Sequence, residues 1–187
     1  MTTQPSETQA TSRGVWQLDS NHSLVEFVGK HMMITTVRGR FKSVQGTIVY
    51  DEADPSRSSV EVEIDASSLD SGVEYRDNHL KSADFLDVEH FPTITFKSTR
   101  VEPQGDDHGK IIGDLTIRGV TREVVLDTEL AGGGKSPMGK QVLAFEAKTS
   151  INRKDWGLTW NMALETGGWL VADTVRIEIA TEAIKQD

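Results

Sequence analysis

The run Val60-Glu61-Val62-Glu63-Ile64-Asp65-Ala66 alternates apolar and acidic side chains without a break. Successive side chains of a strand point to opposite faces, so this is a half-buried strand with one greasy and one charged face. The same period of two spreads outward from it. Val25, Phe27 and Gly29 share one face of an earlier strand. Val37, Gly39 and Phe41 share another face, continued by Gly46, Ile48 and Tyr50. Downstream come Ile94, Phe96 and Ser98, then Ile111, Gly113, Leu115 and Ile117. Val124, Leu126, Thr128 and Leu130 follow, then Leu143, Phe145, Ala147, Thr149 and Ile151, and Val175, Ile177 and Ile179 close the set. About eight antiparallel strands of this kind predict an all-β domain, either a closed barrel or a sandwich.

Turn chemistry separates the strands. Asp54-Pro55 breaks one pair, and Pro103-Gln104-Gly105-Asp106-Asp107 reads as a hairpin tip. Arg118-Gly119-Val120 reads as a tight turn and Ala131-Gly132-Gly133-Gly134 as a flexible one. Helical signal is thin: one short helix around Tyr75 to Ser82, and a turn near Asn152 to Trp156. The inward phase holds Gly29, Gly39, Gly46 and Gly113. Glycine there either leaves room for a ligand or marks bends where a barrel turns its corners.

The chain has 187 residues, which fits one domain over residues 14–187 behind a polar tail at 1–13. Lys and Arg total 20 against 29 Asp and Glu, a net charge of -9. Nonspecific binding to nucleic acid or to anionic membranes needs local positive charge, so no nucleic-acid partner is expected. Arg38, Arg40 and Lys42 alternate and read as one solvated strand face. There is no cysteine, which removes disulfides, thiolate nucleophiles and Cys-based metal sites. The first residues, MTTQPSETQATSRG, lack an apolar signal core, and no run approaches the ~20 apolar residues of a membrane span. A cytoplasmic setting is the expectation.

Two segments carry the chemistry. Tyr75 to Phe96 sets Arg76, Asp77, Asn78 and His79 beside Leu80, Phe85, Leu86, Phe91 and Phe96. A long connection of this composition reads as a lid or pocket wall. Asn152 to Trp160 sets a charged cluster beside two indole rings, which suits a pocket mouth or a barrel-end plug. The five histidines, at 22, 31, 79, 90 and 108, show no metal-ligand spacing. His22 and His79 form an acid–base or metal site only if the fold unites them with Asp77. Gly134-Lys135-Ser136 is not a phosphate loop, because Glu129 replaces its first glycine and Pro137 blocks the helix.

These pieces, in order, resemble the YceI-like family of lipocalin-like, polyisoprenoid-binding proteins. The matching stretches are His22-Ser23-Leu24-Val25-Glu26-Phe27 with His31-Met32, Val37-Arg38-Gly39-Arg40-Phe41, and Arg76-Asp77-Asn78-His79-Leu80-Lys81-Ser82-Ala83-Asp84-Phe85. Phe91-Pro92 with Phe96, Gly113 to Thr121, and Ile151 to Leu158 complete them, from about Trp16 to Glu182. The resemblance implies an antiparallel lipocalin-like β-barrel of about eight strands with one or two short helices, enclosing a lipid-sized channel. It implies a non-catalytic binder, store or carrier of a small amphiphilic lipid, a polyisoprenoid or isoprenoid quinone, with no cofactor required. On that basis Val25, Phe27, Phe41, Phe85, Phe91, Phe96, Leu115, Phe145, Trp156 and Leu158 are channel candidates. Arg76, His79, Asn152 and Arg153 are candidates for a polar head group, from their own chemistry. The alternatives are a lipid- or quinone-modifying enzyme using His22 or His79, and a ligand-free stress-associated scaffold. Apolar edge strands would support a homodimer. The chain departs from the pattern at Leu86 and Trp156, where phenylalanine is usual, at Glu123, where proline is frequent, and in lacking the export signal of many relatives.

Overall fold

The computed structural model describes residues 13–187. The tail expected over residues 1–13 lies outside them, except for Arg13, which begins the first strand. That strand, β1 (Arg13–His31), is the seam of the sheet. Its C-terminal part pairs with β2 (Thr35–Phe41) and its N-terminal part with β3 (Val44–Asp51). Only Lys42 and Ser43 separate β2 from β3, so the two act as one broken strand. β4 (Ser59–Asp65) and the short β5 (Leu69–Asp70) form a second broken strand, interrupted by a 3-10 turn at Ala66–Ser68. Then come β6 (Thr93–Pro103), β7 (His108–Ile117), β8 (Val120–Lys135), β9 (Gln141–Asn152) and β10 (Thr174–Lys185). β10 pairs back onto β1, with Val25 opposite Ile179 and Trp16 opposite Lys185. The result is a closed antiparallel barrel of eight strands, all-β and lipocalin-like. Closure removes the free sheet edges that would otherwise invite pairing with other chains.

Helix is scarce, as the sequence implied. α1 (Glu74–Lys81) is the single α-helix among the described residues, and a 3-10 turn spans Arg153–Trp156. The turn between β7 and β8 places Arg118 at φ 49° and Gly119 at φ 71°, the two left-handed residues of a tight hairpin. One expected turn is not a turn. Gly132, Gly133 and Gly134 continue β8 and pair with Ala144, Leu143 and Val142 of β9. A register shift between Leu130 and Gly132 bends the strand, and the chain reverses later, at Ser136–Gly139. A side chain on Gly133 would meet Leu143 Cδ2 at 2.8 Å, so the glycine answers cross-strand crowding.

The inward glycines divide between the two expected roles. A Cβ on Gly39 would lie 2.1 Å from Phe27 Cζ, so the Phe27 ring lies over its backbone. A Cβ on Gly113 would lie 2.5 Å from the Lys97 carbonyl and 2.6 Å from Phe96 Cζ, beside the register shift between Ser98 and Arg100. Gly46 is pressed against the Glu61 carbonyl. Gly29 meets nothing within 4 Å and faces open space. Three therefore serve close approach, and one leaves room.

Candidate functional site: an apolar cavity along the barrel

The inner faces of the strands do not meet. They surround a cavity of about 850 Å³, within the range of about 300–1,000 Å³ typical of small-molecule sites. Its walls are the apolar phase of every strand: Phe27 on β1, Val37 and Phe41 on β2, Ile48 on β3 and Val62 on β4. Phe96, Leu115, Leu126, Phe145 and Ile177 continue the wall around to the seam. Gly109 and Ile117, eight steps apart on β7, both line it, roughly 26 Å at the usual strand rise. The lining therefore reaches both ends of the barrel. Pro55, Asp106 and His108 lie at one end, and Tyr75, His79 and Met162 at the other.

The second end is covered by the connection from β5 to β6, which carries α1. No residue of α1 is fully buried, and Leu80 packs half-buried against the core. Polar ties add to that contact. Asp77 accepts from Ser71 N (2.9 Å) and Ser71 Oγ (2.5 Å), while Arg76 donates to Ser71 Oγ (2.8 Å) and to the Ser71 carbonyl (2.9 Å). Arg118, in the β7–β8 turn, donates to the Phe85 carbonyl at 3.0 Å and fastens the far side of the lid. Beneath it Phe85 is buried and faces the cavity. His79 stands at the inner edge. Its Nε2 lies 3.0 Å from Asp84 Oδ2, and its ring meets Phe85 and Trp160 edge-on at 5.1 and 4.5 Å.

Of the residues read as channel or head-group candidates, Val25, Phe27, Phe41, Phe85, Phe96, Leu115, Phe145 and Leu158 line the cavity, and so do Arg76, His79 and Arg153. Phe91, Asn152 and Trp156 sit elsewhere. Phe91 packs its ring against Gly119. Asn152 caps the 3-10 turn by accepting from Lys154 N at 3.1 Å. Trp156 is buried in the barrel wall and donates its Nε1–H to the Leu115 carbonyl at 3.0 Å.

Arg153 touches the cavity, yet its donors point into backbone. Nε donates to the Ala172 carbonyl (2.9 Å), Nη1 to the Leu158 and Trp160 carbonyls (2.5 and 3.0 Å), and Nη2 to the Val171 carbonyl (3.4 Å). Burial lowers its pKa from the ordinary guanidinium value, opposed by Asp173. It staples the irregular connection between β9 and β10. Arg76 is less committed: its Nη1 has no hydrogen-bond partner among the described residues.

His22 and His79 are not brought together. His22 lies on the register shift of β1, bonded to Asp19 at 2.8 Å, and is absent from the cavity wall. Asp19, His22 and Glu182 bring one ring nitrogen and two carboxylates within 4.8 Å of one another there. Asp77 is spent on Ser71.

Several wall residues were not among the ligand-contact candidates. Tyr50, Ile177 and Ile179 carried the period-two signal that marks an inner face, and all three line the cavity. Trp160, Met162 and Leu170 also line it, from an irregular segment with no period to reveal them.

A closed eight-stranded barrel with an apolar cavity of this kind defines the lipocalin-like class of fold. The family model described as YceI-like domain matches residues 16–183, and the chain belongs to that family. A UPF0312 protein of Staphylococcus aureus is 39% identical over 165 residues, covering 88% of this chain and 94% of that protein. Among solved structures, BcnA of Burkholderia cenocepacia superposes with a TM-score of 0.76 at 26% identity, over 88% of this chain and 98% of that one. A structure from Saccharophagus degradans, described as a polyisoprenoid binding domain, shares the fold with a TM-score of 0.66 at 14% identity, over 91% of this chain and 98% of that one. Among the described residues no helix is long and apolar enough to cross a membrane.

Proposed function

We propose that this protein binds a long-chain amphiphile, of which a polyisoprenoid or isoprenoid quinone is the best-fitting class, and stores or carries it without chemical change. One observation carries the reading: a continuous apolar cavity of about 850 Å³ whose lining reaches both barrel ends. At roughly 30 Å³ per methylene-sized group, taken from the volume of a water molecule, it has room for about 25 to 30 heavy atoms. A branched hydrocarbon of about five isoprene units fits that figure. Each five-carbon unit gains roughly 3 to 4 kcal/mol gross on burial, at about 0.8 kcal/mol per CH₂. Ordering of the chain and incomplete burial consume much of it. The Saccharophagus degradans neighbour, described as polyisoprenoid-binding, supports this through shared architecture.

The head group belongs at the lid. Arg76 offers donors suited to a phosphate or carboxylate, and His79 can bond a carbonyl such as that of a quinone. Arg153, with its donors occupied by carbonyls, is assigned to structure.

A catalytic role has one supporting contact, between His79 and Asp84. Asp84 is about half exposed and is not part of the cavity wall, and among the described residues neither its carboxylate nor the His79 ring has a second side-chain hydrogen-bond partner.

Native mass spectrometry of freshly purified protein tests the reading. A lipid-mass adduct, or saturable uptake of added ubiquinone or a polyprenyl alcohol, is expected. Repeated absence of both would overturn it.

A further inference from the structure

The two ends of the barrel differ in chemistry. At one end the cavity is bordered by Gly105, Asp106, Asp107 and His108, with Glu129 3.6 Å from His108 Nε2. That mouth is acidic. The other end is greasy. Of the ten exposed large apolar side chains among the described residues, seven stand there. Ile34 is 76% exposed, Tyr75 84% and Trp169 55%, with Met32, Met33 and Met162 around them.

These side chains come from three separate connections, yet they form one rim. The turn between β1 and β2 carries Met32, Met33 and Ile34. Met32 N donates to the Leu170 carbonyl at 2.8 Å, and Leu170 N to the Met162 carbonyl at 2.9 Å. Trp169 is held beside Ala163 by an isolated bridge. Tyr75, on the lid, and Met162 both line the cavity, so the rim and the tunnel are one apolar surface. Contiguous exposed apolar surface of this kind marks an interaction site.

We propose that this rim docks on the surface of a neutral lipid bilayer and is the port through which the cavity loads and unloads. The proposal rests on the apolar-cargo reading of the cavity. Three observations favour a bilayer over a protein partner or a second copy. The rim is continuous with a tunnel whose natural contents dissolve in membranes. Trp169 and Tyr75 are the residue types that settle at a membrane interface, where an apolar body meets a wet edge. The charge distribution also orients the molecule, because the acidic mouth is at the opposite end and its carboxylates would lose hydration against a bilayer. Rim charges are mixed, Lys30 and Lys81 against Glu74 and Glu165. With a net charge of -9 the contact is therefore made by apolar insertion, not by charge attraction.

The test is flotation of the full chain with phosphatidylcholine vesicles, alongside calorimetric binding of farnesol in the absence of vesicles. Wild-type protein is expected to co-float, with little change between low and high salt. The double variant Met33→Asp, Ile34→Asp is expected to lose at least tenfold of the vesicle-bound fraction and to keep its farnesol affinity. Trp169→Asp, on a different connection, guards against a local folding defect and should behave alike. Met138→Asp, at the opposite end, should change nothing. Failure of the wild type to float, or equal flotation of the rim variants, would overturn the proposal. So would a wild-type dimer in solution that the rim variants convert to monomer, since the rim would then be a self-interface. Flotation lost in the rim variants, with no farnesol bound by any form, would sustain docking and defeat the cargo reading alone.

Discussion

Trp156 and Leu115 are 41 positions apart, and the indole Nε1–H of the first donates to the backbone carbonyl of the second at 3.0 Å. The bond ties the 3-10 turn after β9 to the lid end of β7 in the barrel wall. Both residues are buried, so the carbonyl has no water to replace its partner. Phenylalanine cannot donate. Trp156→Phe is expected to destabilise the fold by about 1 to 3 kcal/mol, the loss of a buried hydrogen bond plus a small cavity. Urea unfolding would show a lower midpoint with an unchanged slope. Ligand capacity should hold, because Trp156 is not part of the cavity wall.

Arg153 predicts a larger and more local effect. Its guanidinium satisfies the carbonyls of Leu158, Trp160, Val171 and Ala172 at once. A lysine ammonium is a single point donor and cannot span them. Arg153→Lys and Arg153→Met should each cost at least about 2 kcal/mol, with lysine no better than methionine. Hydrogen exchange should quicken first in the connection between β9 and β10. Full rescue by lysine would mean that charge alone matters there.

Gly29 and Gly113 separate two uses of glycine. A side chain at Gly29 enters open cavity, whereas one at Gly113 strikes the Lys97 carbonyl and Ser98 Cα at 2.5 and 2.8 Å. Gly29→Leu should leave stability equal or slightly raised, since glycine weakens strands, and should reduce uptake of long isoprenoids severalfold. Gly113→Ala should cost about 1 to 3 kcal/mol through backbone displacement. Thermal melts of the two variants beside their lipid uptake would check the contrast.

Much of this contrast was visible in the chain alone, and some was not. Val60, Val62 and Ile64 betray an inner face by period, and the same reading placed Phe27, Phe96 and Phe145 on the wall. Periodicity is local, so it survives without knowledge of the fold. Partners are not local. Nothing near Trp156 announces the Leu115 carbonyl, and nothing near Arg153 shows that the Ala172 carbonyl will accept its hydrogen bond. The run Gly132–Gly134 misleads because turn preference is a weak local bias, here overridden by pairing with β9. The segment from Asn161 to Asp173 has no period, so the apolar rim it contributes became legible only when the barrel placed Met162 and Trp169 beside the lid.

Asp19 and His22 give a pH dependence with a definite sign. Their side-chain hydrogen bond raises the histidine above its ordinary 6.5 and lowers the aspartate below its ordinary 3.8. The raised histidine contributes fully below its unfolded value, and its contribution is lost as pH climbs through the folded one. The lowered aspartate contributes above its unfolded value and loses its share as pH falls through the folded one. The pair is therefore strongest between about 3.8 and 6.5. Because the site is exposed, the effect on overall stability is small and the check is spectroscopic. Proton NMR should show His22 titrating above its ordinary value, and Asp19→Asn should bring it back.

Cavity size predicts how affinity depends on chain length. If the tail is the main contact, each added isoprene unit should tighten binding until the channel is full, and further units should add nothing. A volume of about 850 Å³ sets that point near five units, by the same estimate of roughly 30 Å³ per methylene-sized group. Dissociation constants for prenyl alcohols of two to eight units should therefore fall steeply and then level off. Removing the head-group contact by Arg76→Ala should shift the whole curve without moving its break, because polar groups at the lid fix orientation while the walls supply burial. Gly29→Leu, which shortens the free volume, should move the break to fewer units. A curve with no break, or one set by the head group at every length, would place the tail outside the barrel.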